Sequence, residues 1–175
     1  LQYNTHGQVA SVLDPTGRRT RQLTDADGAL LAVEGPGGAR QVAHYDVWGQ
    51  LASVTDPLGQ TTRYGYDLAG RCTAITNAQG QTTRYEYAPL GVLASVTDAQ
   101  GQVTQYEYAH GLSQPTARIN PLGQRRLYGY DTERNLVWLT NENGETARFT
   151  YDLNERLIRE EGFDGRLQTY SHNPI

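Results

Sequence analysis

Apolar and polar residues alternate along much of this chain, in short runs that are separated by turn residues. In the run Thr62–Tyr66, Tyr64 and Tyr66 take one face and Arg63 and Gly65 take the other, because side chains two positions apart along a strand share a face. Residues 67–70 (Asp-Leu-Ala-Gly) favour a turn, since Asp caps its own backbone and Gly accepts a positive φ. A return strand over residues 71–76 and a second turn complete the unit. No stretch shows sustained helical periodicity, so the pattern predicts an all-β chain.

The same unit recurs along the whole sequence. One series of glycines is spaced by 21 residues, with a single gap of 22: Gly17, Gly38, Gly59, Gly80, Gly101, Gly123, Gly144 and Gly165. All twelve tyrosines fall in two columns of this repeat, five and seven residues beyond the glycines. The complete pairs are Tyr64 and Tyr66, Tyr85 and Tyr87, Tyr106 and Tyr108, and Tyr128 and Tyr130. We therefore predict a single array of about eight repeats over residues 1–175, cut within a repeat at both ends and without a separate domain.

About eight repeats of two strands each predict about sixteen strands in an antiparallel meander. At a spacing of roughly 4.8 Å such a ribbon is on the order of 77 Å wide, and open sheets seldom exceed about ten strands without curling. This number of strands predicts a sheet with a tyrosine-lined face that curls into a curved wall or shell. The pattern does not assign an inner face to the return strands. Leu51 and Val54 would lie on opposite faces of a regular strand, and only a bulge would bring them to the same face.

The amino-acid composition of the chain argues against several structural and functional classes of protein. Hydrophobic residues make up 37% of the chain and the mean hydropathy is −0.64, with two Phe, two Trp and no Met, so we expect no thick central core. All fifteen basic residues are Arg and they are interspersed with nineteen acidic ones, which argues against a nucleic-acid-binding surface. No apolar run approaches the roughly 20 residues of a membrane helix, and no signal peptide opens the chain. A single cysteine excludes an internal disulfide.

Candidate catalytic and metal-binding residues are sparse. The four histidines do not share a repeat column: they are His6, His44, His110 and His172. Cys72 takes a position at which other units have Leu, so we interpret it as a small core residue. The Asp and Asn residues three positions before the glycines fit turn capping better than a calcium ladder, since Ca²⁺ needs six to eight oxygens close together. With no nucleophile elbow or phosphate loop, we expect no enzyme, no cofactor and no metal.

The segment Arg63–Arg71 resembles the core motif of the RHS, or YD-repeat, family. It reads Arg-Tyr-Gly-Tyr-Asp-Leu-Ala-Gly-Arg, and the family pattern is Arg-Tyr-x-Tyr-Asp-x-x-Gly-Arg-Leu followed by an Asp-Pro-x-Gly turn, which residues 56–59 match. The resemblance spans all 175 residues. The residues that carry the structural signature are Tyr64, Tyr66, Asp67, Gly70, Arg71, Tyr85, Tyr87, Tyr106, Tyr108, Tyr128 and Tyr130, with the turn glycines Gly59, Gly80 and Gly101.

The resemblance implies a large β-sheet that spirals into a hollow shell around a C-terminal polypeptide. In bacteria this cargo is typically a toxin, delivered by type VI secretion, within an insecticidal toxin complex or in contact-dependent antagonism between competing cells. The implied partners are the remaining RHS repeats of the parent chain, the enclosed toxin polypeptide, and a secretion spike protein or chaperone, with no nucleic acid and no membrane insertion. The implied location is outside the producing bacterium. Related repeats occur in animal teneurins, where the shell belongs to an adhesion receptor.

The sequence departs from the family pattern at several positions. Gln22 and Thr24 stand in the tyrosine columns, and Arg134 and Glu155 replace the second turn glycine. The unit around Gly111–Pro115 carries one extra residue, which predicts a bulge or a re-aimed loop. The family's terminal shell motif, rich in Asp-Pro and Gly, is missing, and so is any cargo. No autoproteolytic activity is therefore carried onto this chain.

A second function stays open, in which the tyrosine columns recognise surface carbohydrate or mediate adhesion. Packing of the rings along the sheet, with partnered hydroxyls, explains the columns more simply. The opposite face, which carries Arg84 and Glu86, is either a solvated outer face or a mixed-charge inner wall. Because a sheet cut within a repeat has two unpaired edges, we expect the isolated chain to associate edge to edge.

Overall fold

The computed structural model of this chain describes residues 1–172, and the last three residues of the predicted array lie outside the described residues. The Cα positions divide the chain into two units, Leu1–Arg84 and Tyr85–Ile175. Both units consist of short strands joined by tight turns. The only helical element between residues 1 and 172 is a single 3-10 turn, Pro36–Gly38.

The strands follow one another in an antiparallel meander. The first unit contains β1 (Gln2–Tyr3), β2 (Val9–Leu13), β3 (Arg19–Thr24), β4 (Leu30–Glu34), β5 (Arg40–Tyr45), β6 (Leu51–Thr55), β7 (Thr61–Tyr66) and β8 (Cys72–Thr76). Strand β9 (Thr82–Tyr87) contains the division between the units. The second unit contains β10 (Leu93–Thr97), β11 (Val103–Tyr108), β12 (Pro115–Ile119), β13 (Arg125–Tyr130), β14 (Leu136–Thr140), β15 (Thr146–Tyr151), β16 (Leu157–Glu161) and β17 (Leu167–Thr169). Within each unit every strand pairs with the next one along the chain, which confirms the predicted all-β antiparallel meander.

A single side chain organises each typical turn. The Oδ1 atom of Asp67 accepts hydrogen bonds from the backbone N–H groups of Ala69 and Arg71, at 2.9 and 3.0 Å. The N–H of Gly70, whose φ is +79°, donates to the Asp67 carbonyl at 3.0 Å. The same pair of bonds to a side-chain oxygen recurs at Asn4, Asp14, Asp25, Asp46, Asp56, Asn77, Asp98, Asn120, Asn141 and Asp152. Asp and Asn thus act as turn caps.

A bulge in the return strands decides which side chains face the tyrosines. In β6, Leu51 lies opposite Tyr45 and Val54 lies opposite Ala43, so Ala52 is an extra residue in the ladder. The same register shift occurs in the pairs β3–β4, β7–β8, β11–β12, β13–β14 and β15–β16. Residues one and four of a return strand therefore share the tyrosine face, although a regular strand would separate them.

The extra residue near Gly111 lies in a turn, not in a strand. Tyr108 pairs with Pro115, seven positions on, whereas Tyr66 pairs with Cys72, six positions on. Strand β12 itself contains the bulge that the other return strands contain. Of the two predicted alternatives, the additional residue therefore lengthens the loop.

Neither unit has a thick core. In the part of the chain that the structure describes, the buried residues are all small: Ser11, Ala32, Ser95, Ala117 and Ala147. The tyrosines of β7 and the apolar side chains beside them are half-buried. Each side chain is therefore stabilised by neighbours on adjacent strands of the same sheet.

Two turns hold a non-glycine residue in the left-handed backbone region. Arg134 has a φ of 72° and Glu155 a φ of 59°, and each N–H makes the turn hydrogen bond that Gly70 makes elsewhere. This conformation costs an L-residue about 1–2 kcal/mol. Substitution by glycine removes that cost, but part of the gain is lost because glycine has a larger conformational entropy in the unfolded state. We expect Arg134→Gly and Glu155→Gly each to raise the free energy of unfolding by about 0.5–1 kcal/mol, as measured by urea denaturation.

The neighbouring turn residue provides the control for this prediction. Asn154 is not among the residues with a positive φ, so Asn154→Gly relieves no strain and is expected to leave stability unchanged or to lower it. A loss of stability in both Arg134→Gly and Glu155→Gly would contradict the strain argument.

Candidate functional site

Five tyrosines of the second column each join their repeat to the repeat before it. The Tyr66 hydroxyl donates to the carbonyl oxygen of Leu51, the first residue of the preceding return strand, at 2.9 Å. This inter-repeat hydrogen bond recurs from Tyr45 to Leu30 at 3.0 Å, from Tyr108 to Leu93 at 2.8 Å, from Tyr130 to Pro115 at 3.1 Å and from Tyr151 to Leu136 at 3.0 Å. The phenol is thus a structural donor at these positions.

His172 occupies the next position of the same column. Its Nε2 lies 2.8 Å from the carbonyl oxygen of Leu157, where other repeats place a tyrosine hydroxyl. The role of His172 is not visible when the four histidines are compared with one another, because its counterparts in the other repeats are tyrosines. The spacing of 21 residues from Tyr151 was the signal that could have found it.

The first tyrosine column differs in its hydrogen bonding. Tyr64 lies opposite Ile75 on the same face as Tyr66. Within residues 1–172, the hydroxyls of Tyr64 and Tyr128 have no hydrogen-bond partner, so their rings contribute by packing. Tyr170, at the end of the same column, instead donates to Glu160 at 3.1 Å. Tyr64 and Tyr128 therefore contribute differently from the second-column tyrosines, although the two columns look equivalent in the sequence.

Burial also changes the acidity of the second column. It raises the pKa of the hydroxyls of Tyr66, Tyr108, Tyr130 and Tyr151 above the ordinary value of 10.0. The folded state therefore favours the neutral phenol, which is the form that donates to a carbonyl.

We expect this shift to produce an alkaline loss of stability. A raised pKa contributes stability that is complete below the unfolded value of 10.0 and is lost as the pH rises through the folded values. The urea midpoint should be constant near neutral pH and should fall above pH 10.0, with a shallower fall in the Tyr66→Phe variant. Tyrosinate absorbance would follow the ionisation, and a midpoint that stays constant throughout this alkaline range would contradict the shift.

The carboxylates of Asp14 and Asp67 each accept hydrogen bonds on both oxygens. The backbone N–H of Arg71 and the Arg71 side chain hold the pKa of Asp67 below its usual value. A hydrogen bond from the Thr16 hydroxyl, reinforced by Arg18, lowers the pKa of Asp14 to about 2. Such carboxylates stay ionised and cap turns, so proton transfer at neutral pH is not their chemistry.

Charged side chains lie on both faces of the second unit. On the face of the sheet that does not carry the tyrosines, the Ser95 hydroxyl donates to the Glu86 carboxylate at 2.8 Å. On the tyrosine face, Arg118 lies opposite Tyr106, and Glu142 pairs with Arg126 at 2.9 Å and with Arg118 at 3.8 Å. Mixed charge therefore does not distinguish one face as the outer one.

A cavity of about 480 Å³ lies between two neighbouring turns of the first unit. Its lining includes Asp46, Trp48, Tyr64, Tyr66 and Leu68. Trp48 is 79% exposed, and the carboxylate of Asp46 accepts the backbone N–H of Trp48. An exposed indole beside a carboxylate and two phenols is able to stack on a sugar ring and hydrogen-bond its hydroxyls.

The signature residues are distributed along the strands and turns and do not form a single pocket. Tyr64, Tyr66, Asp67, Gly70 and Arg71 lie together where β7 turns into β8. Tyr85 and Tyr87 lie in β9, Tyr106 and Tyr108 in β11, and Tyr128 and Tyr130 in β13, while Gly59, Gly80 and Gly101 lie in turns at the start of β7, β9 and β11. No group of three or more His, Cys, Asp or Glu side chains in residues 1–172 is placed to hold a metal ion. The described residues also contain no helix that is long and apolar enough to cross a membrane.

Comparisons with known proteins identify similar repeats and a similar fold. The RHS repeat family model matches residues 45–82, 66–91 and 89–123. The crystal structure of TcdB2-TccC3-TEV is similar with a TM-score of 0.71 and 18% identity, covering 96% of this chain and 10% of that chain. TcdB2-TccC3 without its hypervariable C-terminal region gives a TM-score of 0.70 at 18% identity, covering 88% of this chain and 9% of the other.

A third structure is the Tc holotoxin pore of Photorhabdus luminescens with a mutated TccC3. It has a TM-score of 0.63 and 15% identity, covering 91% of this chain and 12% of that chain. No curated protein sequence matches this chain. The chain therefore spans about a tenth of the length of the solved chains that it resembles, and at these identities the likeness shows the fold alone.

Proposed function

This chain belongs to the RHS repeat family, and on that premise we propose that it forms part of the wall of a hollow shell. The shell would enclose a toxic polypeptide of the parent protein and sequester it until delivery from a bacterial cell to a competing or host cell. The observation that supports this most directly is the fold likeness to TcdB2-TccC3-TEV over 96% of the chain. The activity would be steric, with no catalytic residue in this segment.

The geometry of the repeat supports a role as a wall. Each return strand is hydrogen-bonded to the strands on both sides, so the backbone forms a continuous ladder within each unit. The inter-repeat hydrogen bonds add a second connection between neighbouring repeats, as from Tyr66 to Leu51 and from Tyr45 to Leu30. A sheet of this kind separates two compartments without needing a second layer.

The test uses the parent protein. Sequencing its reading frame on both sides of this chain would define the complete array, and the purified parent would then be imaged by electron cryomicroscopy and treated with protease. We expect a closed shell with density inside it, and an internal segment that resists protease until the repeats unfold. The same segment expressed alone serves as the control and should be degraded at once. An open array that encloses nothing would overturn the proposal.

The cavity beside Trp48 supports a second candidate, a carbohydrate-binding or adhesion module. A glycan array would test it, with Trp48→Ala as the variant and the exposed Val47→Ala as the matched control. Saturable binding that Trp48→Ala abolishes, while its urea midpoint is unchanged, would favour this candidate. A loss of folding in Tyr85→Ala with Tyr87→Ala, without any glycan binding by the native chain, would favour the wall.

The edges of the array suggest its immediate partners. Among the described strands, β1 pairs only with β2 and β17 pairs only with β16, so each has one free edge for another strand. We propose that neighbouring RHS repeats of the parent cover these edges, and we expect the isolated chain to self-associate through them. Sedimentation should show a concentration-dependent increase in mass. Thr169→Pro in β17 should reduce it, because residues 166 and 170 bond to the strand on the other side, so the N–H of Thr169 faces the free edge and proline removes it. A monomer at all concentrations would contradict this expectation.

A further inference from the structure

Two arginines interrupt an uncharged pair of columns on the tyrosine face. Arg118, the fourth residue of β12, lies directly opposite Arg126, the second residue of β13. The corresponding pairs in four other repeats contain no charged residue: they are Val54 with Thr62, Ile75 with Thr83, Val96 with Thr104, and Leu139 with Ala147. Like charges directly opposite each other destabilise a sheet. A departure of this kind from the chain's own pattern is typical of a functional position.

A single carboxylate serves both arginines. Glu142 lies two residues before the turn glycine Gly144, a position that holds Pro, Ala or Phe in the other repeats: Pro15, Pro36, Pro57, Ala78, Ala99, Pro121 and Phe163. Its Oε2 atom accepts hydrogen bonds from Nη2 and Nε of Arg126, at 2.9 and 3.3 Å, and these bonds hold the pKa of Glu142 below its ordinary value. The Nη1 atom of Arg118 is 3.8 Å from the Oε1 atom of Glu142, which is too far for a hydrogen bond. Glu142 is therefore the partner of Arg126 first.

The Arg118 guanidinium keeps its hydrogen-bond donors unused. Within residues 1–172 it makes no hydrogen bond, although its side chain is only 35% exposed. A guanidinium carries five N–H donors in a planar fork that matches the two oxygens of a carboxylate. Two arginines and one ionised glutamate leave a local net charge of +1 in a chain whose net charge is −4. Tyr106 lies directly opposite Arg118 on the same face, and among the described residues its hydroxyl has no hydrogen-bond partner either.

We propose that Arg118 binds a carboxylate, namely an Asp or Glu side chain of an acidic polypeptide segment that lies on the tyrosine face. Both carboxylate oxygens would accept N–H groups of the guanidinium, and the Tyr106 hydroxyl would donate to one of them. One carboxylate neutralises the local charge of +1, whereas a phosphate dianion would leave an excess negative charge beside Glu142. The half-buried rings of Tyr106 and Tyr128, on the strands that flank β12, give the segment an apolar surface. The proposal does not depend on the shell function.

Nuclear magnetic resonance of the whole 175-residue chain tests the proposal directly through the arginine Nε–H signals. The probes are sodium acetate and a blocked Leu-Asp-Leu peptide, each compared with sodium chloride at the same ionic strength. We expect a saturable shift of the Arg118 signal and no shift of the Arg18 signal, because the Asp14 carboxylate already accepts the Arg18 Nε–H at 2.8 Å. The peptide should bind more tightly than acetate, since its leucines pack on the tyrosine rings. A blocked Leu-Asn-Leu peptide should bind about tenfold more weakly than Leu-Asp-Leu, because it lacks the charge.

Three outcomes of these titrations would overturn the assignment. Equal shifts at Arg18 and Arg118 would indicate a general effect of anions. Tighter binding of inorganic phosphate than of acetate would identify a different ligand, and tighter binding of acetate than of the Leu-Asp-Leu peptide would rule out a polypeptide as the source of the carboxylate.

The pairing of Glu142 makes a non-additive prediction. Arg118→Val should weaken acetate binding at least about tenfold. Arg126→Thr should also weaken it about tenfold, because the released Glu142 is then free to pair with Arg118. Arg126→Thr combined with Glu142→Ala should restore the native affinity, since Arg118 is again without a carboxylate. An affinity in this double variant as low as in Arg126→Thr alone would overturn the proposal.

A variant that restores the repeat pattern separates binding from folding. Arg118→Val, Arg126→Thr and Glu142→Ala together reproduce the arrangement of an earlier repeat: Val54, Thr62 and Ala78. This triple variant should lose acetate binding while its urea midpoint stays the same or rises, because the like charges are removed. Arg148→Thr, a matched change on the other face, should bind acetate like the native chain. Native affinity in the folded triple variant, or an equal loss in Arg148→Thr, would contradict the role of Arg118.

Discussion

Replacing Tyr66, Tyr108, Tyr130 and Tyr151 together by phenylalanine is expected to lower the free energy of unfolding by about 4 kcal/mol, at about 1 kcal/mol for each lost hydrogen bond. Each hydroxyl donates to a backbone carbonyl at 2.8 to 3.1 Å. Phenylalanine keeps the ring packing and leaves a half-buried carbonyl without its donor. Urea denaturation measures the loss, and amide hydrogen exchange should show it first in β6, β10, β12 and β14, whose first residues accept these bonds.

The first tyrosine column provides a matched control for this prediction. Tyr64→Phe and Tyr128→Phe remove the same atom from the same face, but within residues 1–172 these two hydroxyls make no hydrogen bond. We expect each change to alter stability by less than about 0.5 kcal/mol. Equal losses in the two columns would show that the inter-repeat hydrogen bonds are not what distinguishes them.

Gly129→Val is expected to lower the free energy of unfolding by about 2–3 kcal/mol through overpacking. Gly129 lies directly opposite Trp138 in the β13–β14 ladder. A Cβ atom on Gly129 would lie 1.9 Å from Nε1 and 2.0 Å from Cε2 of the indole, so the ring must leave its position over the backbone. Urea denaturation gives the loss, and the fluorescence of Trp138 should shift to the red as the ring becomes more exposed.

A variant at the corresponding glycine of β7 is the control that distinguishes this clash from a general effect of replacing a strand glycine. A Cβ atom on Gly65 would lie 3.5 Å from the Cβ of Ala74, an ordinary contact. Gly65→Ala is therefore expected to be neutral or to stabilise by up to about 1 kcal/mol, as is usual when glycine leaves a strand interior. In a Trp138→Ala background, Gly129→Val should lose most of its cost. An unchanged cost in that background would rule out the indole as the cause.

Much of the local structure was predictable because its interactions are local. A capping side chain bonds residues two and four positions away, as Asp67 does with Ala69 and Arg71, so a short stretch of sequence contains all the partners. The repeat spacing also predicted which residues replace a turn glycine. Arg134 and Glu155 are the two that have a positive φ among the non-glycine residues described.

The candidate binding surfaces were not predictable in the same way. The cavity at Trp48 forms between turns in consecutive repeats. The register of strand pairing decides which residues of neighbouring strands lie opposite each other, and the repeat spacing alone does not determine that register.

The sequence alone determined the 21-residue period, the all-β meander and the chemistry of its turns, because alternation and turn capping act over a few residues. The tertiary structure decided the faces. In β6 the bulged residue Ala52 places both Leu51 and Val54 on the tyrosine face, since a shift of one residue reverses every side chain beyond it. The same register brings the Tyr66 hydroxyl to a carbonyl fifteen residues earlier, a contact that no local pattern specifies.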